Sequence, residues 1–411
     1  MSSNTVILGS GIVGLSTAYY LSQSPKTRPE SIHLVDSSPK LFHCASGLAG
    51  GFLAADWFAP SVAPLGALSF RLHRELAEQH SGSKIWGYSL STGASLSQDS
   101  EAAVDGSGED FLRNGTSRAQ AAGSVPSINA DGPLWLKKTE TGSLEIISRD
   151  NSTAQIDPMR FCEFLLDECV RRGVKLHQPA RAISVSKDAN NQLNGIRISK
   201  DGLETDVPCT RIIITAGAWS PKIFATLFPK ASTRIPIAPL AGHSLLLRNP
   251  FFKEGLPETC HAVFATDTLG FSPELFSRVG GEVYIAGLNT TQIALPDVAT
   301  AVDVNPEAMK QLKACAAVMV AAPEDGSEFK VMRESLCFRP VTSSGRPIVS
   351  RVPDEKLGGG FKTCGGAIGG VYVGAGHGAW GISQAPGTGL CMAELVEGLP
   401  PSANISTLAL P

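Results

Sequence analysis

The feature that most restricts what this chain can fold into lies near its N-terminus. There Val6-Ile7-Leu8 runs directly into Gly9-Ser10-Gly11-Ile12-Val13-Gly14, followed by Leu15, Ala18 and Tyr19 at helical spacing. A short buried strand, a glycine turn and a helix start in that order predict a unit that cradles a dinucleotide. The first glycine permits the tight turn, the second lets backbone approach a pyrophosphate, and the third lets helix pack on strand. The turn residues Ser10, Ile12 and Val13 then offer N–H groups at the positive end of the helix dipole. Ile32-His33-Leu34-Val35 reads as a second strand, and it ends in Asp36, 22 residues after Gly14, where a carboxylate can accept hydrogen bonds from ribose hydroxyls. One such unit does not choose between a nicotinamide and a flavin dinucleotide.

Composition narrows the setting. A chain of 411 residues exceeds the roughly 250–300 that one hydrophobic core serves, so two structural units are expected. Hydrophobic residues make up 43% and charged ones 18%, which excludes a globally disordered chain. With 35 basic and 38 acidic residues the net charge is −3 and neither sign forms a long run, which argues against nucleic acid as a partner. Nine cysteines without a CxxC pair, behind a strand-like run that begins by Thr5, read as reduced thiols without a secretory signal, and a cytoplasmic location is expected. No apolar run is long enough to predict a transmembrane segment. Asn-x-Ser/Thr sequons at Asn114, Asn151, Asn289 and Asn404 are read as chance.

Glycine, 42 residues in all, clusters at 9–14, 47–51 and 358–389. Residues 91–131, rich in Ser, Ala, Gly and Asp, read as an exposed, flexible insertion without chemistry. Asp157-Pro158 followed by Met159, Phe161, Cys162, Leu165, Leu166, Cys169 and Val170 predicts a capped helix to Arg172. Short β-like runs follow, then the strand Arg211–Thr215 leading into Ala216-Gly217-Ala218-Trp219. Residues 236–288 alternate strands and turns, 306–320 look helical and 330–350 extended.

Four segments in order carry a resemblance over essentially the whole chain outside 91–131. They are Ala45-Ser46-Gly47-Leu48-Ala49-Gly50-Gly51-Phe52-Leu53, the Ala216–Trp219 turn, Cys337-Phe338-Arg339-Pro340-Val341-Thr342, and Gly374-Ala375-Gly376-His377-Gly378-Ala379-Trp380-Gly381. Together they resemble the FAD-dependent oxidoreductases that include D-amino acid oxidase, glycine oxidase, sarcosine oxidase and the fructosyl-amine oxidases, nearest to an uncharacterised fungal and plant branch. The resemblance implies an α/β fold: a Rossmann-like FAD-binding domain with an antiparallel β-sheet substrate domain. It implies that Gly9, Gly11, Gly14, Asp36 and Ser37 hold the ADP half and that Ser46, Gly47, Gly50 and Gly51 wrap the pyrophosphate and flavin. Ala182 would meet the adenine and Ala216-Gly217 would lie beside the dinucleotide. The loop through Gly376, His377, Gly378, Trp380 and Gly381 opens a helix suited to face the negative edge of a reduced flavin.

The same resemblance implies oxidation of the C–N bond of a small amine or amino acid to an imine by hydride transfer to flavin N5. O2 or another acceptor would reoxidise the flavin. Such chemistry needs a substrate held in line more than acid–base groups. The eight histidines show no metal-ligand spacing, and no metal is assigned. Arg339 matches the arginine that grips the amino acid carboxylate in glycine oxidase, a task suited to a planar guanidinium; the alternative is a structural arginine. Ser344 stands where the family commonly has aspartate. Cys337 occupies the place of the cysteine that bonds covalently to flavin in the sarcosine oxidase branch, the alternative being a packed small hydrophobe. The oxygen-activating lysine of that branch has no counterpart in Glu282–Gly287, where Tyr284 is the candidate to face substrate, or else to pack. Trp57 and Trp380 could wall a pocket. Oxidase and dehydrogenase both stay open, as do a trafficking or regulatory role for the flavoprotein and a hydroxy-acid dehydrogenase on the same fold. The FAD-binding domain is expected from 1–82, 151–235 and 340–411, and the substrate domain from 83–150 and 236–339.

Overall fold

The computed structural model describes residues 4–97, 132–138, 142–265, 271–323, 326, 328–365 and 367–411. The first layer is a six-stranded sheet in the order Ile348–Val352, Gly370–Ala375, Arg211–Ile214, Thr5–Leu8, Ile32–Val35, Lys175–His177. All neighbours are parallel except the edge strand Ile348–Val352. Its central strands are wholly buried, as parallel strands covered on both faces must be, which is why Val6-Ile7-Leu8 and Ile212-Ile213-Ile214 read as continuous apolar runs. The opening helix Ile12–Gln23, the C-terminal helix Gly381–Val396 and the helix Pro158–Arg172 cover one face. In the last of these Asp157 accepts from the N–H groups of Met159 and Arg160 at 2.9 and 3.3 Å, and Gly173 closes the end in a left-handed conformation. Val170, counted with the apolar stripe from sequence, instead lies on the outer side, 50% exposed. A small antiparallel sheet of Arg181–Lys187, Leu193–Lys200 and Leu203–Pro208 packs on the other face.

The second layer is a nine-stranded, largely antiparallel sheet. Its order is Val331–Val341, Ala238–Arg248, Glu282–Thr290, Glu274–Arg278, Cys260–Ala265, Ser89–Ser97, Thr153–Gln155, Phe52–Ala54, with Ser143–Ile146 paired to Ser89–Ser97. Over its central strands the two faces alternate: Leu245, Leu247, Leu275, Val283 and Ile285 pack under the helix Pro306–Met319, while Leu246, Phe276, Tyr284 and Ala286 face the first layer. The segment 91–97, expected in an insertion, is instead part of a sheet strand with Ser91, Ala94 and Leu96 buried. Its small residues are packing residues, since a Cβ on Gly93 would stand 2.9 Å from the Trp57 ring. The rest of that expected insertion, 98–131, lies outside the described residues. No helix among the described residues is long and apolar enough to cross a membrane.

Candidate functional site

The carboxyl ends of the parallel strands open onto a cavity of about 370 Å³ that runs between the two layers, its floor formed by Leu8, Val35, Thr215, Gly374 and Ala375. Crevices at these strand ends are where open α/β sheets hold ligands. The glycine turn fits as tightly as its sequence requires. A Cβ on Gly14 would stand 2.1 Å from the Gly9 carbonyl, and one on Gly9, at φ +102°, would stand 2.7 Å from the Ala216 Cα. Asp36 accepts the Ser10 N–H at 2.8 Å and the Ser38 N–H at 2.9 Å. Burial pushes its carboxyl up against those two bonds, and each oxygen keeps acceptor capacity toward the cavity. Ser10 Oγ and Ser38 Oγ are buried on residues of this wall, with no hydrogen-bond partner. A bound dinucleotide's sugar and phosphate oxygens suit these orphaned hydroxyls, so the cradle fits the group its motif implies.

The loop after the second strand closes over the turn. Ser46 Oγ accepts the Ile12 N–H at 3.0 Å, satisfying one orphan donor of the opening helix. Two residues on the sheet above hold Ala49-Gly50-Gly51. Arg278, 3% exposed, donates from Nε to the Gly50 carbonyl at 3.1 Å and from Nη2 to the Ala49 carbonyl, and Gln155 Nε2 also donates to Gly50. Burial lowers the Arg278 pKa, with Asp157 and Glu282 opposing. Glycine is required at position 50 because a Cβ would meet the Phe276 ring at 2.5 Å.

The C-terminal helix brings Gly381 and Ile382 to the cavity. Pro386 lies inside this helix and has no N–H, so the Ile382 carbonyl loses its intrahelical donor. His73 Nε2, 2.9 Å away, supplies the missing hydrogen. Burial drives the His73 pKa down to about 4, which keeps the ring neutral. His377, on the cavity wall and paired with Thr388 Oγ1 at 3.0 Å, is likewise lowered to about 4 by burial.

The roof of the cavity comes from the second sheet. Tyr284 stacks on Phe276 with ring centroids 6.0 Å apart and 2° between planes, and the Arg278 guanidinium lies 5.2 Å from its ring centroid. Burial raises its pKa, with Cys337 adding to the rise and Arg339 opposing. Cys337 is buried, and burial pushes its thiol up against the pull of Arg339 and Arg333. Arg339 is half-buried and donates from Nη1 to Asn289 Oδ1. No carboxylate lies within ion-pair distance of it among the described residues. At the far end Asp297 bridges Arg181 and Lys222 at 2.6 and 2.5 Å, and all three line the cavity.

Of the residues expected from sequence, Gly9, Ser10, Gly11, Ile12, Val13, Asp36, Ser37, Ser46, Gly50, Gly51, Ala182, Ala216, Gly217, Cys337, His377, Gly378 and Gly381 line this one cavity, together with Arg339 and Tyr284. Gly14, Gly47, Gly376 and Trp380 stand behind the wall. A Cβ on Gly47 would meet the Phe42 carbonyl at 2.4 Å, one on Gly376 would meet Thr342 at 2.8 Å, and Trp380 packs on Phe58 at 4.8 Å. Sequence reading missed Arg278, Gln155, Asn289, Glu274 and Asp297. The available signal for the first was Glu274-Leu-Phe-Ser-Arg278, where alternation sets two charged residues on the face of Phe276.

Comparison with known proteins decides the family, because the model of the FAD dependent oxidoreductases matches residues 4–395. The chain belongs to that family. Two fungal relatives, both named as candidate oxidoreductases, match along nearly their whole length. The protein from Schizosaccharomyces pombe is 26% identical over 99% of this chain and 97% of its own, and TDA3 of Saccharomyces cerevisiae is 25% identical over 98% and 93%. Among solved structures, glycine oxidase from Geobacillus kaustophilus superposes with a TM-score of 0.73 at 20% identity, covering 100% of this chain and 98% of that one. Iminodiacetate oxidase from Chelativorans sp. BNC1 gives 0.69 at 19%, covering 99% of each. The α/β fold with its FAD-type cradle is therefore that of this family, and the protein is an FAD-dependent oxidoreductase.

Proposed function

We propose that this flavoenzyme oxidises the C–N bond of a small amino acid or carboxylate-bearing amine. The observation that carries the reading is Arg339, a guanidinium on the cavity wall whose hydrogen-bond partner is a neutral amide, Asn289. An uncompensated arginine in a partly dry pocket favours a carboxylate, which it can hold through two parallel hydrogen bonds. Bound FAD supplies the two-electron oxidation. Gly9 to Val13, Asp36, Ser46 and the Gly50-Gly51 turn would hold it, with the N-terminus of the Gly381–Val396 helix facing its ring. The chain's own part in the reaction is to fix the substrate by its carboxylate and to exclude water with Phe52, Phe276 and Tyr284. His377, kept neutral by burial, adds no charge to the cavity wall. The fold neighbours named for glycine and iminodiacetate oxidation agree with a substrate of this class.

The decisive experiment mixes the purified holoenzyme anaerobically with a panel of amino acids, N-substituted amino acids and matched hydroxy acids while the flavin absorbance is followed. Amines bearing a carboxylate are expected to bleach the flavin and hydroxy acids to leave it oxidised. Arg339→Gln should raise the half-saturating substrate concentration on the order of 100-fold, the loss of a charge-assisted pair. Bleaching by hydroxy acids alone, or indifference to Arg339→Gln, overturns the reading. For Cys337, burial holds the thiol protonated, which favours a wall residue over a covalent tether. Acid precipitation should leave free FAD in the supernatant of wild type and Cys337→Ala alike; flavin pelleting only with wild type would establish the thioether instead.

A further inference from the structure

Asn289 does not reach Arg339 by simple alternation. On the strand Glu282–Thr290, Tyr284 and Ala286 face the cavity side, while Val283 and Ile285 face the helix Pro306–Met319. Continued alternation would put Leu288 toward the cavity and turn Asn289 away. The pairing with Ala238–Arg248 instead slips: Ser244 is opposite Ala286, but Gly242 is opposite Asn289, three residues on for two. This is a β-bulge, the device by which a strand re-aims its side chains. Gly287 at φ +132° makes it possible, for a Cβ there would stand 2.7 Å from the Ser272 carbonyl. Beyond the bulge the two faces exchange. Leu288 packs with the helix-side cluster and Asn289 accepts from Arg339 Nη1. The neighbouring strand makes room, since a Cβ on Gly242 would lie 2.7 Å from both Arg339 Nη1 and Asn289 Oδ1.

The Gly287 bulge, the Asn289 it re-aims and Gly242 on the neighbouring strand thus serve one contact. We propose that Asn289 is the positioning residue that sets the charge selectivity of the substrate site: a neutral acceptor that aims Arg339 without cancelling its charge. An aspartate at the same place would aim the guanidinium equally well but neutralise it, and a second carboxylate would then be repelled. A leucine would leave the charge and remove the aim. The inference rests on the reading of Arg339 as the carboxylate grip, and it specifies that the substrate presents a negative charge to this point.

The test uses holoenzyme and two probes of one shape, benzoate and benzamide, whose dissociation constants are read from perturbation of the flavin spectrum. Flavin content and thermal midpoint are recorded for each variant. Asn289→Asp should weaken benzoate by roughly 30-fold or more while changing benzamide by less than about 3-fold, collapsing the charge preference. Asn289→Leu should weaken benzoate about 10-fold through lost orientation. If Arg339→Gln abolishes the preference for benzoate but both Asn289 variants keep it, the inference is overturned and the carboxylate reading stands. If wild type shows no preference for benzoate, or Arg339→Gln retains it, the carboxylate reading itself fails and the inference with it. Should Asn289→Asp not retain flavin, the leucine variant alone decides: an unchanged benzoate constant overturns the proposal.

Discussion

At the glycine-turn end of the cavity the wall is shaped mainly by backbone, with Asp36 and Ser46 bracing it, whereas the roof is made by side chains drawn from strands far apart in the chain. The Gly9–Gly14 turn works because a Cβ has no room at Gly9 or Gly14, and the Ala216-Gly217 turn because Gly217 takes the left-handed φ of +54°. Arg278, Tyr284, Asn289 and Arg339 work because sheet register brings them to one face. A site built of backbone tolerates few residue types and leaves its mark in sequence as spaced glycines. A site built of side chains on a roof can change its chemistry while the fold persists, which is how one family serves many substrates.

Gly14→Ala tests the backbone side of this contrast most severely. Its Cβ would stand 2.1 Å from the Gly9 carbonyl and 2.7 Å from Thr215 Oγ1, neither of which can yield without moving helix from strand. We expect destabilisation of about 3 kcal/mol in urea unfolding, and purified protein nearly free of flavin. A yellow Gly14→Ala protein with wild-type stability would remove the claim that the cradle is set by backbone contact.

A smaller and more local loss is expected at the roof. Arg278→Met removes both bonds to Ala49 and Gly50, leaves Glu282 without its partner at 3.7 Å, and keeps the Gln155 bond to Gly50. Breaking one member of a buried ion pair costs about 3–5 kcal/mol, offset in part because the charge of Arg278 need no longer be buried. Net destabilisation of about 2 kcal/mol is expected, with flavin bound more weakly and its spectrum altered by the freed loop. The contrast sharpens if the variant still takes up FAD at high concentration, as Gly14→Ala should not.

How much could be read beforehand follows the same division. The strand–turn–helix unit, Asp36 and the Pro158–Arg172 helix with its Asp157 cap are encoded in consecutive residues, and each stands in the structure where its local sequence sets it. Arg339 was legible only through a family motif. Asn289 was not legible at all, because its orientation depends on a bulge at Gly287 and on a space at Gly242, more than forty positions away in sequence. The 91–97 strand was hidden for a related reason: its small residues read as loop until Trp57, from another segment, is seen to fill the space beside Gly93. Arg278 left only the weak mark of a charge alternating with Phe276, and its meaning comes from the carbonyls of residues 49 and 50.

The smallest expected effect lies where the two regions meet. Asp297 belongs to the segment that follows the roof strand Glu282–Thr290, and it bridges Arg181 of the small three-stranded sheet and Lys222 of the helix Ser220–Leu227 beside the end of the cavity where Ala182 lies. The three side chains are each at least half exposed, so the pairs are screened by salt and are worth little to global stability. They nonetheless tie the two sides of the cavity together at this end. Asp297→Asn should raise the rate of FAD release, followed as recovery of flavin fluorescence, by about 2- to 3-fold at low ionic strength, and the difference should vanish near 1 M salt. The pH dependence has a fixed sign. Lys222 and Arg181 lower the Asp297 pKa to about 2 from its ordinary 3.8, so its contribution is complete above the ordinary value and is lost as pH falls through about 2. The variant and wild type should therefore differ at neutral pH and converge on the acid side. A difference that persists in high salt would mean that Asp297 acts through packing, and the boundary between backbone-built cradle and side-chain-built roof would then be held by shape instead of charge.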